Sequence, residues 1–521
     1  MNSFYQNKSL INDKNARIEK KLIEDFKKDL SFLIKRKPIK KFSFKIKKIT
    51  IFKKTAAIIV TYKNLDFLKE LLYDFCYSIA LPENIIILNN NSQDDTKNFL
   101  NNFFNIKNEN KENLLILNEK LTLVRKKINK LNIHLITTQK NIGGSGGFAT
   151  GLYYAKNILK NKWFFTMDDD IRIPQDLMKK VYKLREKKTA ITGTMLSSDN
   201  PMHVIEIGNN LNKNLYINFG FFAFSPFHLK NYLSLIKNYK NNEIKTNFIA
   251  FAFSFFSSHI LNNNLLSYIK NFFIHLDDAY FFLKNKIKII SFLQIRFWHK
   301  LGEKNSFFNW VKFYDVRNTF FIIKNLFPKT LHNAKINFLK DLKILLNQCK
   351  YELVENFVRC YQDGIKGKLG EIEYINKNDW KNLKDFSLKN KQIIAFIDYT
   401  GSLFQIGKII KEIKNQFKNI KIDLYTVKTF ETEIIDVERI LEINKIYYWN
   451  KMNLFNRFFN FLKYNLFITS FSDVPRILNL FLNKKILFYQ EKGNNLLFYK
   501  SITSPLKYIK IYFNLKIKLK F

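Results

Sequence analysis

The chain is poor in the residues that build special scaffolds: 521 residues hold three cysteines, eight prolines and 15 glycines. The cysteines, Cys76, Cys349 and Cys360, are odd in number and show no Cys-x-x-Cys spacing. That excludes a disulfide framework or a zinc knuckle and fits reduced thiols. With 46% hydrophobic and 16% aromatic residues, a disordered or low-complexity chain is excluded as well. No run of about 18 uncharged apolar residues occurs. The nearest, 247–261, is short and broken by serine and histidine. The opening segment, MNSFYQNKSLINDKNARIEKK, lacks the apolar core of a secretory signal. A cytoplasmic chain is expected, at most peripheral at the inner face of the cell membrane.

Acidic residues are scarce too, 44 against 87 basic ones, for a net charge of +43. Such an excess favours anionic partners: nucleic acid, a membrane surface or phosphorylated substrates. Part of it is compositional, because lysine far outnumbers arginine and asparagine, isoleucine and phenylalanine are also heavily used, as an AT-rich genome dictates. No helix-turn-helix, RNP or zinc-finger pattern accompanies the lysines, which are spread along the whole chain, so no nucleic-acid partner is expected.

The length allows about three or four domains. Residues 1–54 are expected to form a basic helical extension, and the run IKRKPIKKFSFKIKKI within it to face either solvent or an anionic lipid surface. From Thr55 the pattern alternates. AAIIVTY predicts a buried strand, Phe67 to Phe75 a helix, and ENIIILNNNSQDDT a second strand ending in a polar turn. Residues 98–130 are expected to be helical, followed by strands at IHLITT and KWFFTMDDDI. The β-α-β order predicts a mainly parallel sheet flanked by helices over 55–328. A helical connector is expected over 329–388. A smaller Rossmann-like α/β domain is expected over 389–521, with strands at QIIAFIDYT, IKIDLYTV, KIYYW, YNLFITSF and KKILFYQ and helices at Phe404–Phe417 and Val474–Leu482.

The most informative motif is Asp168-Asp169-Asp170 after the apolar WFFTM. Adjacent carboxylates repel, so a stable cluster needs a compensating cation, and strand C-termini of parallel sheets are where ligands bind. Mg²⁺ or Mn²⁺ on Asp168 and Asp170 is one reading; an exposed acidic turn or helix cap is the other. Upstream, Asn141-Ile-Gly-Gly-Ser-Gly-Gly-Phe148 gathers Gly143, Gly144, Gly146 and Gly147, which suits close backbone approach to phosphate or sugar oxygens, or a flexible turn. His275-Leu-Asp277-Asp278 offers a general base. His299 in Arg296-Phe-Trp298-His299 offers either a third metal ligand or a packed core histidine. Tyr314-Asp-Val-Arg317-Asn318 sets a cation and an amide on one helix, for a phosphate or saccharide or for a helix salt bridge.

Taken in order, VTYKN, LNNNSQDDT, NIGGSGGF, WFFTMDDDI, HLDDAY, FWH and YDVRN resemble family 2 inverting glycosyltransferases of GT-A fold over about 55–325. The glycine-rich and triple-aspartate elements look most like the galactofuranosyltransferase subgroup; rhamnosyltransferases and other hexosyltransferases share a looser set. The resemblance implies a nucleotide-sugar donor, UDP-linked, a saccharide or lipid-linked glycan acceptor, and a role in bacterial surface polysaccharide synthesis. It implies that Thr61, Tyr62, Asn89, Asn141, Asp169 and the glycines Gly143, Gly144, Gly146 and Gly147 bind donor. Asn89 replaces the family's uracil-binding aspartate. It further implies metal on Asp168, Asp170 and His299, and Asp278 as base with Asp277 beside it. Ala279 stands where a glutamate is usual. An acceptor surface would include Phe251 and Phe253, with Arg317 and Asn318 nearby; here NFIAFAFSFF has no tryptophan. The C-terminal domain could carry a second transferase activity, with GSLFQIGKII as a weak phosphate loop.

Overall fold

The computed structural model describes residues 13–35, 49–106, 111–199, 201, 203–210, 220–221, 243–300, 310–347, 350–374, 381–382, 393–397, 403–416, 420–426, 444–448, 452–470, 484–492, 495–502 and 504–518. The basic run at 36–48, the helix expected at Val474–Leu482, and Gly401 and Ser402 of the proposed phosphate loop lie outside them. The described residues divide into two compact units. The first takes Met1–Gly302, Asn318–Thr330 and Gly367–Glu371; the second takes Glu303–Arg317, Leu331–Lys366 and Ile372–Phe521.

The first unit opens with helix α1 (Asp13–Lys35), then β1 (Thr50–Thr61), α2 (Leu65–Tyr77), β2 (Ala80–Asn89) and α3 (Thr96–Phe103). Next come β3 (Glu112–Ile116), β4 (Glu119–Ile128), β5 (Leu131–Thr138), α4 (Gly143–Tyr153), β6 (Trp163–Asp168), β7 (Ile171–Arg172) and α5 (Leu177–Lys183). After β8 (Thr189–Ser197), β9 (Val204–Glu206) and the small pair β10 (Asn209–Asn210) and β11 (Gly220–Phe221) follow β12 (Glu243–Thr246) and β13 (Phe253–Ser257). The unit continues with α6 (Asn263–Ile269), α7 (Asp277–Asn285) and β14 (Lys288–His299). Helix α8 (Val311–Leu326) supplies its Asn318–Leu326 portion.

One sheet runs β12-β14-β8-β13-β6-β1-β2-β5-β4-β3. Its centre, β5-β2-β1-β6, is parallel, and β13 enters antiparallel to β6. Alternating faces of the buried strands feed two cores. Ala57, Ile59, Ile85 and Ile87 pack on one side of the sheet; Ala56, Ile58, Ile86 and Leu88 pack on the other. The C-terminal ends of β1, β2, β5 and β6 share one edge, where Thr61, Asn89 and Asp168 emerge.

Two departures from expectation have clear causes. Among the described residues of 98–130, a short helix is followed by the antiparallel hairpin β3–β4. Leu121 and Leu123 alternate with exposed or half-exposed polar residues, and Leu117 and Asn118 both take positive φ, as a two-residue hairpin turn requires. Helix α1 is not a free extension. Phe26 packs on Trp298, and Arg296 Nη2 meets Asp29 at 2.8 Å in a buried pair, so the helix closes a further small apolar cluster of the first unit with Leu196, Val204 and Leu293.

The second unit has helices α9 (Leu331–Asn347), α10 (Tyr351–Lys366), α11 (Leu403–Gln416), α12 (Leu454–Leu462) and α13 (Pro505–Lys518). Its strands are β15 (Lys381–Asn382), β16 (Ile393–Ile397), β17 (Lys421–Thr426), β18 (Lys445–Tyr448), β19 (Leu466–Ser470), β20 (Lys485–Lys492) and β21 (Asn495–Ile502). They are ordered β15-β21-β20-β19-β16-β17-β18, with β16 to β20 parallel. All five expected strands are present. Helices α9 and α10, in the stretch expected to be helical, group with this unit: their apolar stripes, Leu342 and Leu346 on one and Val354, Phe357 and Val358 on the other, are buried. A buried Asp423 is satisfied by Asn444 Nδ2 at 2.6 Å, by the Tyr464 hydroxyl and by Lys463 at 3.2 Å.

Candidate active site

The triple aspartate begins as β6 ends. Asp168 is the last residue of β6, and its N–H donates to the Ala252 carbonyl at 3.1 Å. Asp170 sits in the turn to β7, which pairs antiparallel with the end of β14 so that Ile171 lies opposite His299. This register delivers a histidine from far along the chain to the carboxylates. His299 Nε2 lies 3.1 Å from Asp170 Oδ1 and 3.5 Å from Asp168 Oδ2. Its Nδ1 donates to the Lys300 carbonyl at 2.6 Å, which turns Nε2 toward the acids. The turn itself is pinned by buried Asp74, which accepts from Arg172 Nε at 2.9 Å and from the Ile173 N–H at 3.0 Å.

Electrostatics marks the same spot. Burial opposes a charge on His299, yet the carboxylates of Asp168 and Asp170 outweigh it and hold the ring up at about 10. One potential ligand atom from each of the three residues lies within 4.8 Å of the others. Two carboxylate oxygens and one imidazole nitrogen, aimed together and already attracting a proton, fit a divalent cation.

Asp169 points elsewhere. Burial, with Asp170 and Asp168 adding to it, pushes its carboxyl up to about 8, with Thr61 and Asn64 opposing. Asn64 Nδ2 donates to its Oδ1 at 2.7 Å. Of the pair ending β1, Thr61 is buried and Tyr62 is 40% exposed. Buried Asn89 accepts the Ser92 N–H through Oδ1 at 3.0 Å.

The second aspartate pair opens α7. Asp278 Oδ1 accepts the Ala279 N–H at 2.6 Å and Oδ2 the Phe251 N–H at 3.4 Å. Burial pushes Asp278 up to about 6; nearby His275 lowers it and Asp168 raises it further. Asp278 and Asp168 are therefore electrostatic neighbours, tied through the adjacent backbone groups of Phe251 and Ala252. Asp277 is raised well above the carboxylate range by burial and by Asp278, with Ser145 opposing.

The approach to this pair is strained. Phe273, His275 and Leu276 all have positive φ, uncommon for residues with a Cβ. Asn318 holds them: its Nδ2 lies 2.9 Å from the Ile274 carbonyl and 2.7 Å from that of His275. Asn318 is thus fully buried beneath the turn. Arg317 is likewise 2% exposed, its guanidinium 4.9 Å from the Tyr314 ring centre. The expected acceptor aromatics also turn inward. Phe251 packs on Phe148, Phe281 and Phe282, and Phe253 on Phe165 and Phe297. Phe253 opens the central strand β13 and Phe251 lies just before it, so both rings are packed in the core.

The glycine-rich segment is the start of α4, not a loop. A Cβ on Gly143 (φ +74°) would sit 1.9 Å from the Phe273 carbonyl oxygen, and one on Gly147 2.5 Å from Val60. Gly146 is closed by Ile142, and only Gly144 faces open space within 4 Å. Gly143 and Gly147 therefore let the helix meet the Phe273 turn and β1 closely, Gly146 makes room for Ile142 of its own segment, and Gly144 alone of the four keeps an open approach.

Sequence reasoning missed Asn90, which organises this corner. Its Nδ2 donates to Asn141 Oδ1 at 2.8 Å and to the Gly143 carbonyl at 3.0 Å, and its Oδ1 accepts the Ile142 N–H at 2.9 Å. Asn141 Oδ1 in turn accepts the Gly143 N–H at 2.8 Å. Nothing but its place directly after the strand-ending Asn89 could have singled it out.

A mainly parallel α/β sheet with a carboxylate–histidine cluster at its C-terminal edge defines a GT-A-like class. Residues 56–227 match the sequence model of Glycosyl transferase family 2. The match takes in β1 through Asp170 and stops before Asp277, Asp278 and His299. No curated protein matches the chain. The matched domain supports a glycosyltransferase that binds a nucleotide-sugar donor and an acceptor. Among the described residues, no helix is long and apolar enough to cross a membrane.

Proposed function

We propose that the chain is an inverting glycosyltransferase that moves a sugar from a nucleoside diphosphate to a hydroxyl of a glycan or lipid-linked acceptor, with Asp278 as general base. The observation that carries this reading is the convergence of Asp168, Asp170 and His299 beside Asp278. Asp168, Asp170 and His299 would hold Mn²⁺ or Mg²⁺. Such an ion would offset the charge that builds on the departing diphosphate.

The chain's own residues do the rest. Asp278 is oriented by two backbone N–H groups and kept basic by burial, so it can accept the acceptor hydroxyl's proton as that oxygen attacks the anomeric carbon. The bond to the diphosphate breaks on the opposite face, through a centre with oxocarbenium character, and the configuration inverts. Thr61, Tyr62 and Asn89 ring the strand ends where the nucleoside would lie, with the Asn89 amide to donate to a pyrimidine carbonyl such as that of uracil. Asn141 and Gly144 border the same corner. Asp277 supports the base, and Asp169, locked by Asn64, holds the nucleoside side of the cleft in shape.

The preferred donor is UDP-galactofuranose-like, on the order of the motifs and their triple aspartate; surface polysaccharide assembly at the inner membrane face is the setting that such a donor suits. The test is a panel of nucleoside-diphosphate sugars given to the full chain, with nucleoside diphosphate release measured. Release with a uridine-linked hexose supports the reading, and release with none of the panel overturns it.

A further inference from the structure

Helix α13 carries two apolar stripes. Ile511 and Leu515 are buried in the second unit, and the Tyr508 hydroxyl donates to Asn347 of α9 at 2.8 Å. That stripe completes a core. The other stripe points out: Leu506 is 75% exposed, Ile509 50% and Phe513 58%. Their spacing of three and four residues sets them in one row along the helix. A helix apolar on both sides calls for cover on both, and among the described residues only one side is covered.

The charges around the open row say what fits it. Lys507 and Lys510 are exposed between the apolar side chains, and the helix sequence PLKYIKIYFNLKIK contains no acid. A second copy of this chain would bring the same lysines against themselves in a two-fold contact, on a protein of net charge +43. An anionic bilayer reverses that sign. Leucine, isoleucine and phenylalanine enter the headgroup–acyl boundary while flanking lysines meet the headgroups.

We infer that α13 is a membrane-docking helix, lying in the plane of an anionic lipid surface with Leu506, Ile509 and Phe513 inserted and Lys507 and Lys510 on headgroup phosphates. This goes beyond the transfer chemistry and stands or falls without it. It places the docking element in the second unit, well away in sequence from the basic run near the N-terminus.

The test is co-sedimentation of the full chain with vesicles of phosphatidylcholine alone and of phosphatidylcholine with phosphatidylglycerol. The wild type is expected to bind only the latter. The triple variant Leu506→Gln, Ile509→Gln, Phe513→Gln is expected to lose about tenfold or more in affinity, with an unchanged melting temperature. Should it fail to fold, Lys507→Glu with Lys510→Glu, both at exposed positions, is expected to give a similar loss on the anionic vesicles. Absence of wild-type binding would overturn the inference, as would equal binding to both vesicles or full retention by the variants. So would an oligomer that the triple variant dissociates without any vesicle binding, which would identify a second copy as the occupant.

Discussion

His299 Nε2 stands 3.1 Å from Asp170 Oδ1 because β14 pairs with the two-residue strand that follows the aspartates. The same pairing turns its other ring nitrogen to the Lys300 carbonyl. Three side chains from two distant segments thus form one cluster of two carboxylates and an imidazole.

Removing that nitrogen should weaken cation binding before it weakens the fold. His299→Ala is expected to lower Mn²⁺ affinity by about 10–100-fold or more, since loss of even an outer partner costs that much at metal sites. Isothermal titration of wild type and variant checks it; equal affinities would take His299 out of the ligand set.

Asp278→Asn is expected to lower kcat by about 10²–10⁴ while donor Kd changes little. The pH profile follows from the same residue. Its carboxyl is raised to about 6 by burial, and the base must be ionised, so kcat rises as pH climbs through that region. A bound cation would cancel part of the influence of Asp168, so the acid limb should lie no higher than about 6. The raised value also means that the folded state holds this proton more tightly than the unfolded chain, so ionisation here costs stability as pH rises. A kcat–pH profile with its acid limb well above 6 would contradict the assignment.

Asn318 tests the strained turn ahead of the base. Asn318→Ala leaves the carbonyls of Ile274 and His275 without that donor, at a cost of about 1–3 kcal/mol. Melting temperature should fall, and kcat should fall more than donor affinity. A variant of normal stability and turnover would show the turn to be held by other groups.

The two neighbouring glycines make a matched pair. Gly143→Ala forces a Cβ into the Phe273 carbonyl at positive φ and should cost more than about 1 kcal/mol together with most of the activity. Gly144→Ala meets nothing within 4 Å, so its fold should be near wild type. Thermal unfolding of both variants decides whether the segment is a packing device as well as a border of the cleft.

Much of this was legible before any coordinates. Apolar runs such as AAIIVTY and WFFTM announce buried parallel strands, and carboxylates crowded at a strand end announce a place that must gather compensating groups, here the His299 ring and the Asn64 amide. The hairpin β3–β4 was hidden by the lysines of β4, which reach solvent beside the edge strand and mimic a polar helix. The packing of Gly143 and Gly147 was not legible because glycine written for close packing looks the same as glycine written for a ligand. Asn64, Asn90 and Asn318 clamp backbone and carboxylate, yet in a chain so rich in asparagine they carry no mark. Phe251 and Phe253 show the converse: an aromatic run can be a core strand before it is a surface.

The most direct measurement is product analysis by NMR with an accepted nucleotide sugar, run in chelator and again after Mn²⁺ or Mg²⁺ is returned. The account predicts no turnover in chelator, recovery with either ion, and a product whose anomeric configuration is opposite to that of the donor. Undiminished turnover in chelator, or a product that retains the donor's configuration, would contradict it.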